Sequence, residues 1–231
     1  MTKEEAIMAR HSVREYTGSA LTEAEINALR TLIDETNKAS GLHIQLVTNE
    51  SRAFSGMASY GKFKGVSNYV VMAGRKSADL EEKTGYYGEQ IVLAAQTMGL
   101  NTCWVGMTYK KVKESYTLSE DEKVVCLIAI GHGATQGKAH KTKTPEAVSN
   151  ATADSPEWFK KGVAAALLAP TALNQQKFRI ELTNVGEGCL PTVSAQRRFS
   201  MAGYTRIDLG IVKCHFEIGA GKENFAWKDE A

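Results

Sequence analysis

The chain has 231 residues, 43% hydrophobic and 23% charged, enough to bury a sizeable core without disulfides or metal. Its 28 lysines and arginines against 26 acidic residues leave a net charge of +2. That balance excludes the strong basic field that nucleic-acid and membrane-surface proteins need, leaving room only for a local basic pocket.

The N-terminus, MTKEEAIMARHS, carries charges where a signal peptide has its apolar centre. No apolar run approaches the roughly 20 residues of a membrane span, so the expected location is the cytoplasm. Residues Lys3 to Arg10 form the first helix candidate. Thr22 caps the second, with Glu25 completing a capping box and Ile26, Leu29, Leu32 and Ile33 recurring at helical spacing. Leu42, Ile44 and Leu46 alternate with polar residues, which predicts a strand over 42–47. Residues 50–65 are rich in Gly and Ser and read as a loop with a short helix. A short apolar strand is expected at 69–73, then an apolar helix from Tyr86 to Met98 with Gly99 as its cap. Ser119 and Glu122 suggest a short capped segment before the β-branched run Val124 to Ile130, a strand buried on both faces.

Residues 132–154 form a polar, basic connection. Ser155-Pro156 then signals a helix running to about Leu168, since Pro170 disfavours helix before it. Phe178 to Leu182 alternates as a strand, and Arg206 to Ile218 is a second apolar helix. Cys103, Cys126, Cys189 and Cys214 form no CxxC pair and sit in apolar stretches, reading as reduced core thiols rather than metal ligands.

The pattern repeats. IQLVTN (44–49) returns as RIELTN (179–184), each after a helix, and YGEQIVLAAQTMGLNTCW (87–104) resembles LGIVKCHFEIGAGKENFAW (209–227). Two matches in the same order predict an internal duplication, residues 1–150 and 151–231, packed as one globular pseudo-dimer with a cleft between the halves. The second copy ends before any counterpart of strand 124–130.

Arg10-His11-Ser12-Val13-Arg14-Glu15-Tyr16 places two guanidinium groups around a hydroxyl, donors that suit phosphate oxygens. On charge alone the better reading is a basic surface helix end. Lys141-Thr142-Lys143-Thr144-Pro145 is a second basic patch, or a solvated linker. Ala169 to Lys177 offers Thr, Asn and two Gln donors that could grip a polar heteroaromatic ring, or forms a turn. Its counterpart, residues 37–41, lacks the Pro and the Gln, which points to one site. Neither GxxxxGK(S/T) nor a strand–GxGxxG–helix unit is present.

At these residues the chain resembles a known family. RHSVREY is similar to the R-x-S-x-R-x-(F/Y) motif of the nitroreductase family of FMN flavoproteins. LAPTALNQQKF resembles that family's A-P-(S/T)-x-x-N-x-Q-P-W, with Lys177-Phe178 in place of Pro-Trp. GLNTCWVGM resembles G-L-G-(S/T)-C-W-(I/L)-G, and IAIGH with KTKTP resembles the closing G-Y and K-x-(K/R) segments. In typical members both leading motifs lie in one domain, and a homodimer builds two flavin sites. Here they fall in different halves, as in a subgroup with two half-copies fused in one chain.

The resemblance implies an α+β nitroreductase-like fold, an internally duplicated pseudo-dimer with central mixed sheets surrounded by helices. It implies one FMN per chain and a monomer or weak homodimer. By position, Arg10, His11 (through its backbone), Ser12, Arg14, Lys141 and Lys143 would hold the phosphate and ribityl side, with Lys62 matching a family lysine loosely. Trp104, Val105, Gly106 and Met107 would lie along the ring, and Pro170, Thr171 and Asn174 would face it. The activity implied is hydride transfer from NAD(P)H through flavin N5 to a nitroaromatic or quinone-like acceptor. No side chain is assigned as catalytic and no metal is expected. The alternatives are a flavin storage or sensing module without turnover, and a structural relative with an empty cleft.

Overall fold

The second helix begins where the sequence places its cap, at Thr22. In the computed structural model, which describes residues 1–56, 62–184 and 190–228, helix α1 spans Lys3–Ala9 and α2 Glu23–Ser40. Both open on capping boxes, Thr2 with Glu5 and Thr22 with Glu25, each satisfying two first-turn backbone donors. Asn37, near the end of α2, brackets Ile44: its amide donates to the Ile44 carbonyl at 2.9 Å and its oxygen accepts the Ile44 N–H at 2.8 Å. Ile44 is thereby taken out of the ladder, so strand β1 is Gln45–Val47, shorter than the alternation over 42–47 predicts.

Strand β2 (Tyr69–Arg75), helix α3 (Leu80–Thr97), strand β3 (Asn101–Val105) and strand β4 (Glu122–Gly131) follow. Glu122 accepts the Ser119 N–H at 2.8 Å, closing the turn that opens β4. β4 lies inside an antiparallel sheet ordered β1-β2-β4-β3, which is why residues 126–131 are continuously buried. After a short helix α4 (Pro145–Val148), helix α5 spans Glu157–Leu167. Ser155 does not cap it: that hydroxyl accepts the Thr152 N–H at 2.9 Å, and Pro156 takes the cap position.

Strands β5 (Phe178–Asn184) and β6 (Thr192–Arg197), helix α6 (Thr205–Ala220) and strand β7 (Ala226–Trp227) complete the chain. They give a three-stranded mixed sheet, β5-β6-β7, with β6 and β7 parallel. The order helix–strand–strand–helix–strand thus runs twice, as α2-β1-β2-α3-β3 and α5-β5-β6-α6-β7. In the first run β4 separates two strands that are parallel to each other; in the second those strands are direct neighbours.

The two long apolar helices, α3 and α6, touch backbone to backbone. A Cβ on Gly85 would lie 2.0 Å from the Ile207 carbonyl oxygen, and one on Gly210 2.0 Å from the Glu82 carbonyl oxygen. The sequence similarity aligns Gly88 with Gly210, but Gly88 instead makes room for the Trp104 ring. A continuous core joins Leu29 and Ile33 to Met72 and Ile128 of the first sheet and to Phe159, Phe178 and Phe216. Cys103, Cys126 and Cys214 are buried free thiols whose pKa values burial pushes up; Cys189 lies outside the described residues. Among the described residues no helix is long and apolar enough to cross a membrane.

Candidate functional site

A cavity of about 260 Å³ opens between the end of β3, the loop after α5 and the start of α6. One wall begins with the N-terminal motif. The Val13 N–H donates to the Thr102 carbonyl at 3.0 Å and the Lys64 N–H to the Arg14 carbonyl at 2.9 Å, so the segment runs extended beside β3. Side chains alternate along extended backbone: Val13 enters the core, while Ser12 and Arg14 line the cavity with Lys62 and Phe63. Trp104, Val105, Gly106 and Met107 continue this wall from β3.

Arg10 goes elsewhere. It ends α1, is 3% exposed, and its Nε stands 3.8 Å from Glu89 Oε1. Glu89, fully buried on α3, also faces His215 Nε2 at 2.8 Å through Oε1 and accepts the Trp104 indole N–H at 2.8 Å through Oε2. His215 Nδ1 lies 3.1 Å from the Ala165 carbonyl, which can only accept, so Nδ1 carries a proton. Arg10 thus shares the Glu89 carboxylate with His215, and its Nε and Nη1 are buried and without hydrogen-bond partners. His11 packs beside Gly137; burial, then the Arg10 charge, lowers its pKa.

The facing wall is the loop Pro170–Leu173 with Tyr204, Ile207, Asp208 and Ile211 of the α6 region. Its backbone is unusual, with Leu173, Asn174 and Gln176 at φ 51°, 54° and 45°. Three sets of bonds hold it there. Asp208 accepts the Ala172 N–H at 2.9 Å and the Gln175 side-chain amide at 2.6 Å. The Gln176 N–H donates to Thr171 Oγ1 at 3.0 Å. The amides of Asn174 and Gln176 both reach the Lys141 carbonyl at 2.8 Å. Lys143 in turn donates its ammonium to the Gln175 and Gln176 carbonyls at 2.9 and 2.8 Å. The basic connection and the Pro-Thr-Asn loop, distant in sequence, thus form one strap.

Of the residues singled out in the sequence, Ser12, Arg14, Lys62, Trp104, Val105, Gly106, Met107, Pro170 and Thr171 come together around the cavity. Arg10, His11, Lys141, Lys143 and Asn174 lie behind or beside it. The sequence reading missed Asp208, whose burial raises its pKa to about 6 against the pull of the Ala172 and Gln175 bonds. Its signal was an acid in the first turn of an otherwise apolar helix. It also missed Tyr204, at φ 60°, whose ring fills the space beside Gly106.

A family model described as "Putative TM nitroreductase" matches residues 3–220. Among solved structures, a "putative nitroreductase" from Thermotoga maritima MSB8 is similar at 22% identity and TM-score 0.65, covering 100% of this chain and 90% of that one. The NfrA1 nitroreductase from B. subtilis is similar at 17% identity and TM-score 0.51, over 68% of this chain and 76% of that one. A "putative nitroreductase in complex with FMN" from Desulfovibrio desulfuricans reaches 16% identity and TM-score 0.50, over 68% and 98%. No curated protein matches. These likenesses share the mixed helix-and-sheet fold, and with its family model matched over residues 3–220 the chain belongs to this nitroreductase family.

Proposed function

We propose that the protein is an FMN-dependent oxidoreductase that passes electrons from NAD(P)H to nitroaromatic or quinone-like acceptors. The observation that carries the proposal is the cavity itself. It gathers Ser12, Arg14 and Lys62 with the Trp104–Met107 wall and the Pro170–Thr171 loop, which come from opposite ends of the chain. Concave sites of a few hundred Å³ with apolar walls and few polar groups suit a planar heteroaromatic ligand. The donor set also fits: Arg14 and Lys62 are cations on the cavity side, and Arg10 has two buried nitrogens without partners.

In this reading Arg14 and Lys62 would stand over the polar end of the ring and favour negative charge there. Ser12, with the His11 backbone, Lys141 and Lys143, would hold the ribityl and phosphate end, and Arg10 would add its charge from behind the wall, where it stands on Glu89. Trp104, Val105, Gly106 and Met107 would form the bed of the ring, and Pro170, Thr171 and Asn174 the opposite side. Bound FMN would supply hydride transfer at N5; the chain supplies position, charge and exclusion of water.

The double run of elements and the reciprocal Gly85 and Gly210 contacts support a fused pair of half-domains, 1–150 and 151–231. Among the described residues the second sheet has three strands against four in the first, and the loops after α2 and α5 differ, which supports one flavin per chain; the protein would be a cytoplasmic monomer or weak homodimer. A flavin module without turnover is the second reading, favoured by the Tyr204 ring seated beside Gly106, where a second planar guest would need space. Absorption spectroscopy separates the cases. Purified or FMN-loaded protein is expected to be yellow and to bleach on adding NADH or NADPH. Yellow protein that no reductant bleaches supports the second reading, and a protein that ignores FMN sinks both.

A further inference from the structure

The loop that lines the cavity carries an unneutralised cluster of cations on its outer side. Lys177 and Arg198 extend the β5–β6 ladder by one step: Phe178 pairs with Arg197, and the Arg198 N–H donates to the Lys177 carbonyl at 2.7 Å. Residues directly opposite on an antiparallel pair stand close together, and like charges there repel. Lys143 joins them. Its ammonium is fixed on the Gln175 and Gln176 carbonyls, next in the chain to Lys177, and those two contacts leave it one donor. The cluster is coherent electrostatically, since burial first and then the charges of Lys177 and Arg198 lower the Lys143 pKa.

Among the described residues, no carboxylate forms an ion pair with Lys141, Lys143, Lys177 or Arg198. Arg179, two residues from Lys177, has Glu181 at 3.0 Å, and Asp208 is buried on the inner side of the loop against Ala172 and Gln175. A chain whose net charge is only +2 therefore concentrates three cations without carboxylate partners, Lys143, Lys177 and Arg198, on one rim. Cations held opposite one another raise the free energy of the empty rim, and an anion removes that cost. A phosphate monoester, near −2 at neutral pH, matches an Arg fork flanked by two ammonium groups.

We infer that Lys177 and Arg198, beside the positive charge of Lys143, bind the 2′-phosphate of the reductant and make NADPH the preferred hydride source. The inference rests on the flavin reading above. A nicotinamide entering the cavity past Thr171–Leu173 leaves its adenosine end outside, and the rim stands at the outer end of that same loop. The flavin's own phosphate is the other source of the same chemistry.

The test uses calorimetric titration of the protein with 2′,5′-ADP and with 5′-AMP, then steady-state kinetics of FMN-loaded protein with NADPH and NADH. Lys177 and Arg198 are exposed, so Lys177→Ala with Arg198→Ala leaves the core intact. Wild-type protein is expected to bind 2′,5′-ADP at least about tenfold more tightly than 5′-AMP, the difference of roughly one charge-assisted bond. The double variant is expected to lose that difference, and to raise KM for NADPH about tenfold more than KM for NADH. Equal binding of the two probes, or equal losses with both reductants, overturns the inference. So does a loss of FMN affinity in the double variant, which would give the rim to the flavin phosphate. Protein that takes no FMN overturns the flavin reading instead, and the 2′,5′-ADP titration still decides the rim.

Discussion

Asp208 is the carboxylate to watch in the cavity wall. Burial raises its pKa from 3.8 to about 6, although the Ala172 N–H and the Gln175 amide pull the other way. A carboxyl with a raised native pKa binds its proton more tightly folded than unfolded. Stability is therefore lost as pH climbs from about 4 to 6 and stays lower above that window, by roughly 3 kcal/mol at about 1.4 kcal/mol per pH unit. Asp208→Asn removes the titration while keeping an acceptor for Ala172. Urea denaturation at pH 4.5 and 7.5 is expected to show the wild type losing stability with pH relative to the variant. Parallel changes in the two proteins would refute the assignment. Its one local signal is an acid in the first turn of an apolar helix; the partners that make it a site lie 33 and 36 residues away. The same holds for Glu89, whose contact with His215 spans 126 residues. By contrast, Ser12 and Arg14 were legible because a short motif and strict alternation carry them to the cavity together.

At the scale of elements, legibility follows how local the cause is. The cap of α2 forms within four residues of itself, and the sequence reading names it as Thr22 with Glu25; it missed the like box of Thr2 and Glu5 at α1. Helix α3 starts at Leu80, ahead of the expected Tyr86, because its first turns are polar in sequence and carry no apolar stripe, although Leu80, Thr84 and Gly85 are buried against the rest of the fold. Strands β3, β6 and β7 depend on partners rather than on their own pattern, and β7 is only two residues long. The loop after α5 is the most strained element, and Leu173 is its anomaly: φ 51° with an 88% exposed side chain. A left-handed backbone costs a β-carbon-bearing residue roughly 1–2 kcal/mol, and an exposed leucine returns little through packing. Leu173→Gly is accordingly expected to leave stability unchanged or raise it by up to about 1 kcal/mol, the gain being offset by glycine's greater unfolded freedom. A drop of 1 kcal/mol or more in thermal or urea unfolding would show that Leu173 packs against something it does not touch in this structure.

For the molecule as a whole, the contact between α3 and α6 decides stability and site together. Ile207, Asp208 and Ile211 of α6 line the cavity, while Glu89 of α3 holds the Trp104 indole on its other wall. Gly210→Ala puts a methyl group 2.0 Å from the Glu82 carbonyl oxygen, so the helices must part. The expected cost is about 1–3 kcal/mol or more, read by urea denaturation, with weaker FMN binding as the walls separate. An alanine variant as stable as the parent would show that the helices are free to move apart. At Gly85 and Gly210 the crossing has no side chain between the backbones to compress or re-pack, and further along the buried Glu89 and His215 tie the two helices together. The helices then cannot slide or rock past one another, and they act as a single axle through the protein. Breathing of the cavity, the entry and exit of whatever it binds, falls to the parts hung on that axle: the turn after Val105 and the strap that runs from Lys141 to Lys177.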